Sequence, residues 1–306
     1  MSIVVVGSIN LDIASYGEKL PRPGETVHSE RYATGLGGKG ANQAAAAARL
    51  GNTVAMIGRV GSDAFGEQAL AALNGFGVET DGVLRDPDGA TGIAIIGVDA
   101  RGENAISVVA GANMALDETD LARGSGALGR CKVLLTQREI PEPVTLAACR
   151  QARAARAIAI HDPAPAPKAG LSDAMLRQFD LLTPNEGECE ALTGIRPANR
   201  GEAARAADLL IARGARTVVV KMGANGVYAK GPAGEAFVPP FPVRSVDSVG
   251  AGDCFNAGLA DALARGSALH AALRFAAACG ALATTRYGAA ASAPARAEVE
   301  ALLAHG

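Results

Sequence analysis

Asp253 closes the run Val246-Asp247-Ser248-Val249-Gly250-Ala251-Gly252-Asp253, and an apolar helical segment follows directly. The N–H groups of Ala251, Gly252 and Asp253 lie at a helix start, where backbone donors lack intrahelical partners and can converge on an anion. Such a cradle stabilises charge developing on a transferred phosphoryl group. The Asp253 carboxylate becomes a general base if a substrate hydroxyl reaches it. The alternative is an ordinary acidic residue favoured by the helix dipole.

A second run, Gly35-Leu36-Gly37-Gly38-Lys39-Gly40-Ala41-Asn42, opens an alanine-rich helix. It contains G-x-G-x-x-G, but a dinucleotide fingerprint sits directly after the first strand. Here the first apolar run ends near Gly7, and a P-loop is excluded because Gly follows Gly38-Lys39. What remains is a turn that can hold a polyhydroxylated ligand through N–H groups, the Lys39 ammonium and the Asn42 amide. A helix cap needing glycine for positive φ is the alternative. In Thr183-Pro184-Asn185-Glu186-Gly187-Glu188, Asn185 and Glu188 stand three apart. On a helix they share a face and suit the hydration shell of Mg²⁺, or they serve simply as a cap and its first-turn acid.

The elements that must position these runs are short apolar stretches alternating with helical ones. Strands are expected at 3–7, 53–57, 131–136, 157–161, 181–183 and 217–221, and helices at 41–50, 64–76, 143–155, 186–192 and 202–213. Near-continuous apolar strands separated by helices predict an α/β fold, a doubly wound and mostly parallel sheet covered on both faces. Stretches at about 12–34 and 90–109 read as extended strands without crossover helices, the second with a hairpin turn at Asp99-Ala100-Arg101-Gly102. They are expected to form a small β-sheet lid. Helices are expected at 252–265, 269–284 and 295–304, the whole chain forming a single domain over 1–306.

Composition narrows the function. Apolar residues make up 49% of the 306 residues, ample for a buried core. A net charge of −2 with no long basic run argues against nucleic-acid or membrane-surface partners. The five cysteines are far apart and lack a C-x-x-C pair, which fits reduced buried thiols in the cytoplasm. The four histidines show no metal-ligand spacing, and no G-x-S-x-G elbow occurs. No signal-like or membrane-spanning stretch is expected.

Taken together, the two glycine-rich runs resemble the signatures of the ribokinase-type (PfkB) carbohydrate kinase family. The resemblance extends to Gly7-Ser8-Ile9-Asn10-Leu11-Asp12, Pro23-Gly24-Glu25-Thr26, Gly58-Arg59-Val60-Gly61, Ala110-Gly111-Ala112-Asn113, Gln137-Arg138-Glu139 and Asp162-Pro163-Ala164-Pro165-Ala166, from residue 3 to about 300. It implies phosphorylation of a sugar by ATP, with D-ribose going to D-ribose 5-phosphate. Fructose, deoxyribose or a nucleoside are the alternative acceptors, and a non-catalytic sugar or nucleotide sensor is a further one. Asp253 is implied as base and the backbone of Gly250, Ala251 and Gly252 as anion hole. Asn10, Asp12, Gly38, Lys39, Asn42 and Glu139 are implied to face the sugar, with Ala94 and Ile106 from the lid. ATP is implied along Asn185, Lys221, Gly223, Ala224, Gly226, Gly252 and Ala277, with Mg²⁺ held through water near Asn185 and Glu188. A monovalent cation, K⁺, is implied beside Asp247, Val249, Ala283, Arg286, Gly288 and Ser292, and a homodimer through the lid. The chain departs from the family pattern at Asp162, where Asn is usual, at Lys221 in place of Thr, and at Ala277, where a polar residue often meets adenine.

Overall fold

The computed structural model describes residues 2–166 and 170–305. Its main sheet contains β1 (Ser2–Val6), β4 (Thr53–Gly61), β5 (Val78–Asp86), β8 (Val133–Thr136), β9 (Ile158–His161), β10 (Leu181–Leu182), β11 (Val218–Lys221), β12 (Val227–Gly231) and β13 (Gly234–Val238). A smaller sheet holds β2 (Asn10–Gly17), β3 (Ser29–Gly37), β6 (Gly92–Val98) and β7 (Asn104–Val109).

In the nine-stranded sheet the order is β13-β12-β11-β10-β9-β8-β1-β4-β5. Pairing is parallel from β5 to β11, and β12 and β13 add antiparallel at one edge. Successive side chains of a strand point to opposite faces. Ile3 and Val5 accordingly enter one core with Ala44, Ala257 and Leu259, whereas Val4 and Val6 enter another with Leu121, Val144 and Leu134. Both faces are buried, which is why these strands read as unbroken apolar runs. The first face is covered by helices Lys39–Arg49, Ala64–Gly75, Ala251–Ala264 and Leu269–Ala283. The second is covered by Glu142–Ala154, Glu186–Thr193 and Arg200–Ala212.

The chain leaves β1, builds outward through β4 and β5, then returns to β8 on the other side of β1. Strand order therefore reverses between β1 and β8, and ligands of such folds bind in the crevice beyond the strand carboxyl ends at that point. The four-stranded sheet, ordered β3-β2-β6-β7, stands directly after the carboxyl end of β1.

The expected fold class holds. Elements depart from expectation where burial is one-sided or brief. Strand β5 carries Glu79, Asp81 and Arg85 at the sheet edge and lacks a continuous apolar run. The β12–β13 hairpin consists of two five-residue strands joined across Pro232-Ala233. The first lid piece is the pair of strands Asn10–Gly17 and Ser29–Gly37, which reaches a few residues beyond the expected 12–34 at each end.

Candidate active site

The helix Ala251–Ala264 begins beyond Gly250, whose φ of 76° lies in the left-handed region. A side chain there would also collide: an added Cβ would lie 2.8 Å from Ala289 Cα. Glycine is thus required twice over, by conformation and by space. The turn spends one expected donor on itself, because the Ala251 N–H donates to the Ser248 carbonyl at 3.3 Å. The expectation that three N–H groups converge narrows to two, those of Gly252 and Asp253, which find no acceptor among the described residues.

Asp253 is buried at the third helical position. Asn42 Nδ2 donates to its Oδ2 at 3.1 Å, and Gln43 Nε2 donates to its Oδ1 at 3.1 Å. Burial pushes its carboxyl up to about 6; the Lys39 ammonium opposes this, Asp162 adds to it, and the two amide donors oppose it again. A carboxylate with proton affinity near neutrality, each oxygen fixed by one donor, is suited to general-base work.

The lid and the first glycine-rich turn meet this base. Gly38, with φ 82°, starts helix Lys39–Arg49. The Lys39 N–H donates to Glu139 Oε2 at 3.0 Å, and the Ser8 hydroxyl donates to the same oxygen at 2.5 Å. Glu139 is therefore a carboxylate capping a helix N-terminus from outside the helix. Burial alone would lower the Lys39 ammonium, but Asp253, Asp162, Glu139 and Glu188 together outweigh it and hold the cation firmly protonated. Asp12 pairs with Gly35 on one side and Ala94 on the other. Its carboxyl is pushed up to about 6 by burial first, then by Glu139 and Asp253. It lies across Gly37, where an added Cβ would fall 1.8 Å from Asp12 Oδ1. Asn10 is buried and accepts from Asn113 Nδ2 at 2.7 Å.

Register carries the lid assignment further. Directly paired residues share a sheet face, so Asp12, Ala94 and Val108 form one row and Ala14, Ile96 and Ile106 the next on the same side. Ile106 thus faces as Asp12 does, although it is 52% exposed and sits well out on the lid.

On the nucleotide side, Lys221 ends β11, and its N–H donates to the Pro184 carbonyl at 2.9 Å. Its ammonium donates to Asp162 Oδ1 at 3.1 Å, and a Cβ built on Gly252 would lie 3.5 Å from Nζ. Gly223 and Gly226, with φ of 50° and 85°, flank the turn that contains Ala224. Ala277 is half-buried on Leu269–Ala283. Asn185 and Glu188 form a reciprocal cap: Glu188 N–H donates to Asn185 Oδ1 and Asn185 N–H to Glu188 Oε2, each at 2.8 Å. The plain capping account of this motif is therefore what their side chains do with one another. Glu188 is also buried, its carboxyl pushed up by desolvation despite Lys221.

The expected cation residues come from two loops knitted by one carboxylate. Asp247 accepts from the Val249 N–H and from the Gly288 N–H, each at 3.0 Å. Ser292 donates to the Ala289 carbonyl at 2.8 Å, and Ala283 ends the adjoining helix. The Arg286 side chain is turned away to Glu298, so any part it plays toward a cation falls to its backbone. The Asp247 carboxylate thus ties the 247–249 turn to Gly288, which joins the two loops that carry these residues. Among the described residues no three His, Cys, Asp or Glu side chains cluster as a metal cage. One carboxylate with waters and phosphates is the usual holding for Mg²⁺, and Glu188 fits that role.

Several residues at the site carry no role in the glycine-rich runs. Gln43 bridges Asp253 and Asp162, Gln137 donates to Gln43 Oε1 at 2.7 Å, and Asn113 clamps both Ile9 and Asn10. The available signal is polarity inside an otherwise alanine helix. Two arginine-lined clefts open at the amino ends of β8 to β11, the pole opposite Asp253, and hold no comparable constellation.

A buried carboxylate at a helix start, two orphan N–H groups and flanking lysines, roofed by a small sheet, define a phosphotransferase acting on a small hydroxylated acceptor. Residues 1–296 match the model of the pfkB family carbohydrate kinases, and the chain belongs to that family. It is 38% identical to a ribokinase of Bacillus subtilis and 36% identical to one of Haemophilus influenzae, in each case over 99% of both chains. The structure of an Arabidopsis thaliana ribokinase complexed with ribose and ATP superimposes with a TM-score of 0.90 at 34% identity, covering 98% of each chain.

Proposed function

We propose that this kinase transfers the γ-phosphoryl group of ATP to the 5-hydroxyl of D-ribose, with Asp253 as general base. Asp253 takes the hydroxyl proton as the O5–phosphorus bond forms and the bond to the ADP oxygen breaks. The Gly252 and Asp253 N–H groups, with Lys221 beside them, bear the charge that gathers on the equatorial oxygens. Asn10, Asp12, Lys39, Asn42 and Glu139 offer carboxylates, amides and an ammonium to the sugar hydroxyls, and Ala94 and Ile106 meet its apolar side. ATP lies along Asn185, Lys221, the 223–226 turn and Ala277. Mg²⁺, held through water by Glu188 and Asn185, would supply charge neutralisation on the phosphates. K⁺ at the Asp247 loops would set the geometry of the anion hole.

The observation that carries this reading is Asp253 itself, buried, fixed on both oxygens and adjacent to orphan N–H donors. The same reading takes the chain as one domain with its lid and as a homodimer through that lid, which exposes Ile95, Ile106, Val108 and Val109. Five free, buried thiols support a reducing, cytoplasmic setting. No helix among the described residues is long and apolar enough to cross a membrane.

A panel of ribose, deoxyribose, fructose and nucleosides compared by kcat/KM tests the acceptor, with ribose expected to lead. Asp253→Asn is expected to abolish turnover while ATP still binds. Turnover within a few-fold of the parent would remove Asp253 from the role of base.

A further inference from the structure

The primary amide of Gln43 has two hydrogens, and both are committed to carboxylates. Nε2 donates to Asp253 Oδ1 at 3.1 Å and to Asp162 Oδ2 at 3.2 Å. Its carbonyl oxygen accepts from Gln137 Nε2 at 2.7 Å. The reverse orientation would set that oxygen against two carboxylates and its nitrogen against another amide nitrogen, so the amide has one acceptable direction. Gln137 cannot retreat, because it is packed on Gly7, where an added Cβ would lie 2.0 Å from Gln137 Oε1. Asp162 is held at its other oxygen by Lys221. Gln43, Gln137 and Asp162 are all buried.

We propose that Gln43 is a positioning residue that aims the Asp253 carboxylate at the acceptor hydroxyl and ties it to the Asp162–Lys221 pair beside the anion hole. This inference rests on the reading of Asp253 as base. The route runs Lys221, Asp162, Gln43, Asp253, and joins the end of β11, the end of β9, helix Lys39–Arg49 and helix Ala251–Ala264. Gln43 touches no reacting atom; it acts through the base. Its two carboxylate partners both accept, so the arrangement is made for the ionised form of Asp253, the form that takes a proton. The charged groups bearing on Asp253 are Lys39 from helix Lys39–Arg49, Asp162 from the end of β9 and Asp12 from the lid.

Two substitutions pull the base in opposite directions. Gln43→Leu removes a donor to the charged carboxylate, so the base holds its proton more tightly and the acid limb of kcat moves to higher pH. Asp162→Asn leaves one acceptor, which only one of Gln43 and Lys221 can use, and removes a neighbouring negative charge, so the limb moves to lower pH. Gln43→Leu is also expected to lower kcat about 10- to 100-fold through loss of aim, with KM for ribose and for ATP changed less than about threefold. A merely structural role would move both limbs alike or raise KM instead.

The experiment measures pH profiles of kcat for the parent, Gln43→Leu and Asp162→Asn, with Asp253→Asn alongside. Opposed limb shifts and a kcat-selective loss support the proposal. A Gln43→Leu kcat within twofold of the parent, or limbs that stay fixed or shift together, overturns it. If Gln43→Leu does not fold, Gln43→Asn, whose shorter side chain cannot keep both carboxylate contacts, decides by the same two readouts, and an unmoved limb with kcat within twofold of the parent refutes the link. Turnover by Asp253→Asn overturns the base itself. An inactive Asp253→Asn beside an unaffected Gln43→Leu overturns only the positioning role.

Discussion

Replacing Gly250 with alanine perturbs the anion hole without altering a catalytic side chain. At φ 76° an L-residue costs about 1–2 kcal/mol. The new Cβ would also sit 2.8 Å from Ala289 Cα and 2.9 Å from its carbonyl oxygen, against backbone that cannot rotate away. Crowding of that kind costs about 1–3 kcal/mol more, for a total of about 2–5 kcal/mol. In a chain of this size that lowers Tm by roughly 3–8 °C. Relief requires the helix start to shift by some tenths of an ångström to an ångström, carrying the Gly252 and Asp253 N–H groups with it. Misplacement on that scale costs up to about 100-fold in kcat. Gly266 supplies a matched control beyond the other end of the same helix: its φ is 81°, and an added Cβ meets nothing within 4 Å. Gly266→Ala should lose about 1–2 kcal/mol of stability and no activity. The assay is kcat with ribose and ATP together with thermal unfolding for both variants. Equal kcat in the two would refute the claim that the 250–253 turn is an aligned anion hole.

The carboxyls of Asp253 and Asp12 are both pushed up to about 6 by burial, so each loses its charge as pH falls through that value. The expected kcat/KM profile falls below about pH 6, with a slope approaching two if both must be ionised; a flat profile to pH 5 would oppose this. His161, stacked on Phe179 and wholly buried, has its imidazole held down to about 3 by burial first and Arg138 second. The unfolded chain binds a proton below about 6.5 and the folded one does not, so this site removes about 1.4 kcal/mol of stability per pH unit on acidification. Between pH 7 and 5, measured by urea unfolding, acidification should cost His161→Phe less stability than it costs the parent, and identical changes would count against it. Asp247→Ala cuts the carboxylate that joins Val249 to Gly288. Turnover should fall about tenfold or more through loop misalignment, and the stimulation expected when potassium replaces a large organic cation should vanish; an undiminished potassium response would separate Asp247 from the cation.

The central strands were legible because both faces of β1, β8 and β11 are buried, so Val4 and Val5 alike had to be apolar. Strand β5 hid behind its edge position, where solvent tolerates Glu79 and Asp81. At the site, Asp253 and Asn42 stood out in their runs as candidates, but a dipole or capping use fitted them as well until the fold set the Asn42 amide against Asp253. Gln43 showed only as polarity among alanines, which does not say what its face of the helix meets, here two carboxylates. Asp162 and Lys221 stood out separately as departures from the family pattern. Only the fold, bringing neighbouring strands β9, β10 and β11 together, makes them one buried pair 3.1 Å apart.

The roots of the small sheet have a kinetic consequence. Strand β2 begins at Asn10, three residues after β1 ends, and β3 runs through Gly37 into the helix that starts at Lys39. Asn113 pins the first root by accepting from Ile9 N–H at 2.8 Å, and Thr91 pins the neighbouring strand to Asp63 at 2.8 Å. The peptides at these two roots therefore carry or adjoin Asn10 and Lys39, with Asp12 two residues farther along β2. With Asn10, Asp12 and Lys39 as the proposed sugar contacts, movement of the roof at these roots displaces the groups that hold the sugar. A bond added at the roots is then expected to slow release of the phosphorylated sugar more than phosphoryl transfer, which single-turnover and steady-state rates measured side by side would show.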